Sequence, residues 1–176
     1  ASIQWIGESA FQKAKIATLD LPEGLTHIGN KAFYNAAVES LSLPESVTEY
    51  GDYIFYGCQN LSYVELPDNM TELPMGIFWD CTALKRISLP SGLEKIGNAA
   101  FYGSGLEKIV IPASVTEIDD WAFAWITNMK TIDIPDTVES VGFNAYIYAQ
   151  GVKTINIGSG VKTIGKDGFR TWNLEA

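Results

Sequence analysis

Few residues in this chain are of a type that does chemistry. There is one histidine, His27, and there are two cysteines, Cys58 and Cys81, 23 residues apart. A Ser-His-Asp or Cys-His arrangement needs a histidine beside a nucleophile and a third group to orient it. The sequence around His27 supplies neither. The adjacent carboxylates Asp119 and Asp120 have the chemistry of a general acid and base, but they read more simply as solvated surface charge. Zinc needs a set of Cys and His ligands, and two cysteines with no second Cys or His pair do not make one. The Gly-rich stretch GSGVKTIG at 158–165 has the look of a phosphate loop. No catalytic residue, metal site or cofactor is expected.

The placement of these residues is explained by a repeat. Leu-Pro or Ile-Pro recurs at Pro22, Pro44, Pro67, Pro90, Pro112 and Pro135, in steps of 22 or 23 residues, with Gly158 in the next slot. Eleven residues beyond each stands an aromatic: Phe33, Phe55, Phe78, Phe101, Phe123, Tyr146 and Phe169. Apolar residues also hold the slots three and six after the proline and one, three and six before it. The unit is LxxIxLPxxLxxIGxxAF followed by four or five variable residues. Cys58 and Cys81 share one slot, fourteen after the proline, and read as buried small side chains. Stacked coils would bring them near enough for a disulfide to be geometrically conceivable. His27 occupies a slot, five after the proline, that elsewhere holds polar or charged side chains and is expected to face solvent. Gly160 and Gly165 fall in ordinary repeat slots, so the apparent phosphate loop needs no further explanation.

Each recurring feature has a physical role. The alternation before the proline, as in Ile132-Asp133-Ile134, is the period-two pattern of a half-buried strand. Proline ends that strand because it has no N–H to give. Glycine seven after the proline, as at Gly29, Gly51 and Gly97, suggests a sharp bend or a positive φ, with Pro74 and Asp119 as exceptions. The Ala-Phe pair suggests a tight helical turn whose ring plugs the coil. One unit is too small to fold alone, so stability comes from stacking. Phe101→Ala is expected to cost about 3 to 5 kcal/mol.

These readings give an α/β repeat solenoid, one domain over residues 1–176. A leading half-repeat fills 1–15, and repeats start near 16, 38, 61, 84, 106, 129 and 152. The chain begins at Ala1 and stops where a new unit would begin at Leu174, and so reads as an excerpt of a longer protein. No apolar run is long enough for a membrane span, so no direct membrane insertion is expected.

Charge and aromatic placement point to surfaces. The net charge is −9, which argues against nucleic acid as a partner. Residues 1–80 carry 11 acids and 3 bases, and residues 81–176 carry 10 acids and 9 bases. Lys85, Arg86, Lys108, Lys130 and Lys153 form a basic stripe at the strand entry. The outward strand positions Tyr63, Glu65, Arg86, Ser88, Lys108, Val110, Thr131 and Asp133 are the central candidate binding surface. A second candidate is the aromatic ladder Tyr34, Tyr56, Trp79 and Tyr102, one residue after the core phenylalanines. Tyrosine and tryptophan combine apolar area with a polar tip and suit interfaces, and such rings can also stack on one another.

The unit in LKRISLPSGLEKIGNAAFYGSG resembles the BspA-like, or Treponema pallidum-type, leucine-rich repeat, and the similarity covers essentially the whole chain. The resemblance implies a curved right-handed array with a concave parallel sheet and short strands or helical turns on the other sides. It also implies a bacterial cell-surface or secreted protein. Several members adhere to host matrix proteins such as fibronectin and fibrinogen, or to other cells. The expected function is non-catalytic recognition of an extracellular protein through the concave sheet. The alternatives are a structural spacer without its own ligand, or a glycan-binding surface on the aromatic ladder.

Overall fold

The computed structural model describes residues 2–171; Leu174 and the other terminal positions lie outside them. The chain winds into stacked coils, one per repeat, and every strand pairing among the described residues is parallel. Three backbone ladders run along the stack, one on each side of the coil.

The first ladder is formed by the strands before the proline: β3 (Ser40–Ser42), β5 (Tyr63–Glu65), β9 (Thr131–Ile134) and β11 (Thr154–Ile157). Their buried positions alternate with exposed ones, as the period-two pattern requires. β3 pairs with β5 in the register Ser40↔Tyr63, and β9 pairs with β11 in the register Thr131↔Thr154. Between these pairs, residues 84–90 and 106–112 follow the same path without forming strands.

The second ladder consists of two-residue strands five and six after the proline. These are β1 (Trp5–Ile6), β2 (His27–Ile28), β4 (Glu49–Tyr50), β6 (Glu72–Leu73), β7 (Lys95–Ile96), β8 (Glu117–Ile118), β10 (Ser140–Val141) and β12 (Thr163–Ile164). They form one sheet in the order β1-β2-β4 and another in the order β12-β10-β8-β7-β6. The interruption between β4 and β6 has a covalent cause. The residue in the glycine slot donates its N–H to the preceding coil, as Gly51 does to Ile28 O at 2.7 Å and Gly97 to Leu73 O at 3.2 Å. Pro74 holds that slot after β6 and has no hydrogen to donate.

The third ladder lies at the Ala-Phe segment, where a helical turn was expected. No helix occurs among the described residues. Each unit instead places two residues at positive φ, nine and thirteen after the proline, as at Lys31 and Asn35 or Trp121 and Trp125. That alternation stops any helical run and turns successive N–H groups toward the next coil. Phe33 donates to Ile54 O at 2.9 Å, Phe78 to Ala100 O at 2.8 Å, and Phe123 to Ala145 O at 2.7 Å. This ladder continues through every coil. The rings it carries form the central column: Phe11, Phe33, Phe55, Phe78, Phe101, Phe123, Tyr146 and Phe169 stack with centroids 4.9 to 5.7 Å apart.

The recurrent glycine serves a different purpose from the positive φ expected of it. Gly97 is not in the left-handed region, but a Cβ there would lie 2.2 Å from Leu73 O, and one at Gly51 would lie 2.3 Å from Asn30 N. The slot takes glycine because adjacent backbones pass too close for a side chain.

Candidate recognition surface

The strands before the proline present their odd positions outward, and the basic stripe rides on them. Tyr63 is 55% exposed and Val110 70% exposed, large values for apolar groups on a strand face. Arg86, Ser88, Lys108, Thr131 and Asp133 are also exposed. Within the stripe, Lys85 faces Glu107 at 3.8 Å. Arg86, Lys108, Lys130 and Lys153 have no ion pair among the described residues. Lys95, on the neighbouring ladder, behaves differently. Partial burial pulls its pKa down, but a hydrogen bond from Asp119, at 3.2 Å, and the charges of Asp119, Glu117 and Glu72 outweigh that and hold it above the ordinary lysine value.

Two grooves mark the middle of this face. One, of about 370 Å³, lies between β5 and residues 86–90 and brings together Tyr63, Glu65, Arg86 and Ser88. The other, of about 610 Å³, is lined by Arg86, Glu107, Lys108, Asn128 and Lys130. Arg86 belongs to both. Val110, Thr131 and Asp133 share the face but lie outside these grooves. Two of the acids are engaged: Glu65 accepts from Ser42 Oγ at 2.8 Å, and Asp133 accepts from Asn156 Nδ2 at 2.6 Å. The free groups that remain around the grooves are therefore mainly cationic, on a chain of net charge −9.

The grooves coincide with a separation of the coils. Arg86 and Lys108 occupy equivalent slots on neighbouring coils, and Lys130 lies one position earlier on the next. Like charges side by side on adjacent strands destabilise pairing. Ile87, Leu89 and Ile109, whose counterparts Leu41, Leu43 and Ile132 are buried, are only partly buried here. The stripe was legible in the sequence; its grooves and the parting of the strands were not.

The aromatic ladder is present and largely self-satisfied. Tyr34 and Tyr56 stack at 4.9 Å with planes 6° apart, Tyr56 and Trp79 lie at 5.4 Å, and Trp79 and Tyr102 at 4.3 Å. All four are half-buried. Burial, and then the Asp80 carboxylate, raise the hydroxyl pKa values of Tyr56 and Tyr102. The rings spend much of their face area on one another.

The remaining chemistry-bearing residues are dispersed. His27 is half-buried rather than solvent-facing, because its ring packs 3.9 Å from Trp5 and its Nδ1 lies 2.9 Å from Glu49 Oε2. Cys58 and Cys81 are buried free thiols that donate to Phe33 O at 3.0 Å and Phe55 O at 3.1 Å. No cluster of three or more metal-ligating side chains occurs among the described residues. No helix among them is long and apolar enough to cross a membrane. Sequence reasoning also missed a cleft of about 610 Å³ at the β4/β6 interruption, lined by Tyr50, Asp52, Glu72, Pro74 and Asp119 among others. Its signal was available: Pro74 in the glycine slot and Tyr50 in an otherwise aliphatic column.

Comparison with known proteins agrees with this architecture. A leucine-rich repeat protein from Bacteroides ovatus is 30% identical, with a TM-score of 0.83 over 93% of this chain and 47% of its own. The Treponema pallidum leucine rich repeat protein is 25% identical, with a TM-score of 0.76, over 92% of this chain and 77% of its own. A leucine rich cell surface protein from Faecalibacterium prausnitzii shares the fold at 21% identity and a TM-score of 0.61, over 90% and 52% of the two chains. The chain thus spans about half the length of the Bacteroides protein. No curated protein sequence matches it. The BspA type leucine rich repeat region matches residues 4–129 and 118–176 in 6 copies, and with the repeat and its stacked coils both in evidence, the chain belongs to the BspA-type leucine-rich repeat family.

Proposed function

We propose that the chain is a non-catalytic recognition module that binds an extracellular protein through the face of the strands before the proline. The observation that carries this reading is the convergence of unpaired Arg86, Lys108 and Lys130 on one groove, beside exposed Tyr63 and Val110. Arginine and tyrosine dominate binding hot spots because they combine contact area with directional hydrogen bonding. Cations without internal partners are available to a partner's carboxylates. Their setting in an acidic chain gives a local field of opposite sign, which steers encounter and orientation.

A location at the cell surface or in secreted form follows the habit of the family and suits such a role. The Faecalibacterium chain, alike in fold, is a cell surface protein. Host matrix proteins are the partners to try first, since members of the family adhere to them. A structural spacer would need no uncompensated cations on this face. The aromatic ladder offers a sugar ring little free face, because its rings are stacked on each other.

The test is equilibrium binding to immobilised fibronectin, fibrinogen and a glycan array, beside an Arg86→Glu, Lys108→Glu double variant with an unchanged circular dichroism spectrum. Saturable binding to a protein, lost at least tenfold in the variant, is the expected result. Saturable binding that the double variant retains places recognition elsewhere, and saturable binding only to glycans, lost on changing Trp79 and Tyr102, moves it to the ladder. No saturable binding to any of them favours a spacer.

A further inference from the structure

The strand ladder of the recognition face is closed towards both ends and open in the middle. Among the described residues no backbone hydrogen bond joins residues 62–66 to 85–89. A single one, Glu107 N–H to Lys85 O at 3.0 Å, joins 85–89 to 107–111, and none joins 107–111 to β9. The closed parts set the phase. Tyr63 and Glu65 are registered with Ser40 and Ser42, and in a parallel ladder the residue between two such positions directs its N–H and C=O to the other side. Val64 therefore turns its peptide groups toward the gap. Arg86 and Ser88, equivalent by repeat to Tyr63 and Glu65, turn theirs back toward Val64.

An unpaired strand edge is a template for another extended chain. Here it adjoins a partly uncovered apolar floor of Ile87, Leu89 and Ile109 and a cationic rim of Arg86, Lys108 and Lys130. A strand alternates its side chains between two faces. A segment that matches the site would place apolar side chains on the floor and carboxylates at the rim. We infer that the opening takes an extended acidic segment of a partner protein, with alternating acidic and apolar residues, which pairs its backbone with the open edges near Val64 and Arg86. This inference rests on the proposed recognition role of the same face and specifies its partner. Charge complementarity selects the segment: the rim cations lack internal partners, whereas Glu107 is held by Lys85 and Glu65 by Ser42.

The probe is a fluorescein-labelled peptide of alternating Glu and Val, read by fluorescence anisotropy at physiological ionic strength. Its controls are the same peptide N-methylated at alternate residues and a shuffled peptide of equal charge containing Gly and Pro. Saturable binding is expected, with at least a tenfold loss for either control. The same loss is expected for an Arg86→Thr, Lys108→Thr variant, which copies the residue types of coils paired on this face. Equal binding of the N-methylated peptide would reduce the contact to charge attraction and overturn the strand-pairing inference, as would no binding at all. If the chain captures an immobilised protein in an Arg86- and Lys108-dependent way yet takes no peptide, the inference falls while the recognition reading stands. Failure of both assays removes both.

Discussion

Glu107 donates its backbone N–H to the carbonyl of Lys85 at 3.0 Å, and this is the only backbone hydrogen bond between those two coils along the strands before the proline. On the opposite side of the same two coils, Phe78 N–H reaches Ala100 O at 2.8 Å and Asp80 N–H reaches Tyr102 O at 2.8 Å. The coils are thus held at the phenylalanine side and parted at the recognition side. A repeat protein whose stability is a sum over neighbouring coils tolerates such a local opening.

The glycine slot gives a paired prediction. Gly97→Ala places a Cβ against Leu73 O, a backbone atom that can move only with its coil, and is expected to cost about 1 to 3 kcal/mol. Gly7→Ala meets nothing within 4 Å and is expected to fall within about 0.5 kcal/mol of the parent. Urea unfolding followed by circular dichroism checks both. Equal effects at the two sites would remove the close-approach explanation.

Tyr146 is the one tyrosine in the phenylalanine column. It is fully buried and its hydroxyl has no hydrogen-bond partner. Burial raises its pKa well above the ordinary tyrosine value. Tyr146→Phe removes an unpaired polar atom and is expected to stabilise the chain by about 1 kcal/mol or more. A lower unfolding midpoint would mean that the hydroxyl has a partner in solution.

The buried thiols give a dependence on pH. Burial pushes Cys58 up to about 12 and raises Cys81 well above its ordinary value of 9.0. The folded chain therefore keeps protons that the unfolded chain releases first. Stability is unaffected by these groups below about pH 9 and falls as pH rises from there toward 12. A thiol-reactive dye at pH 8 should label neither cysteine in the native protein and both after unfolding. Rapid native labelling would contradict the burial, and failure to label the unfolded, unreduced chain would reveal a disulfide.

The architecture was legible because its signals are covalent and periodic. Proline ended each strand, the aromatic eleven residues later filled the column, and apolar pairs marked the framework. The Ala-Phe ladder was not legible. Its positive-φ positions hold Lys31, Tyr53, Ala99 and Trp121, which share no property that a sequence displays, and stacking overrides their local preference. The role of the recurrent glycine was misread for a related reason, since close approach between coils depends on a neighbour 22 or 23 residues away. At the candidate site the cations and exposed side chains could be placed by register. The parting of the coils could not, because it depends on the balance between like-charge repulsion and backbone pairing.

Recognition at the centre of this face requires that the ladder be open in the free protein, and amide hydrogen exchange followed residue by residue tests that requirement most directly. The account predicts slow exchange at Phe78, Phe101 and Phe123, whose N–H groups bond to the next coil. It predicts slow exchange at the β3/β5 and β9/β11 pairings as well, and exchange close to that of an unstructured peptide at Val64, Arg86 and Ser88. Protection of Val64 and Arg86 equal to that of the β3/β5 pairing would show a closed ladder and contradict the account.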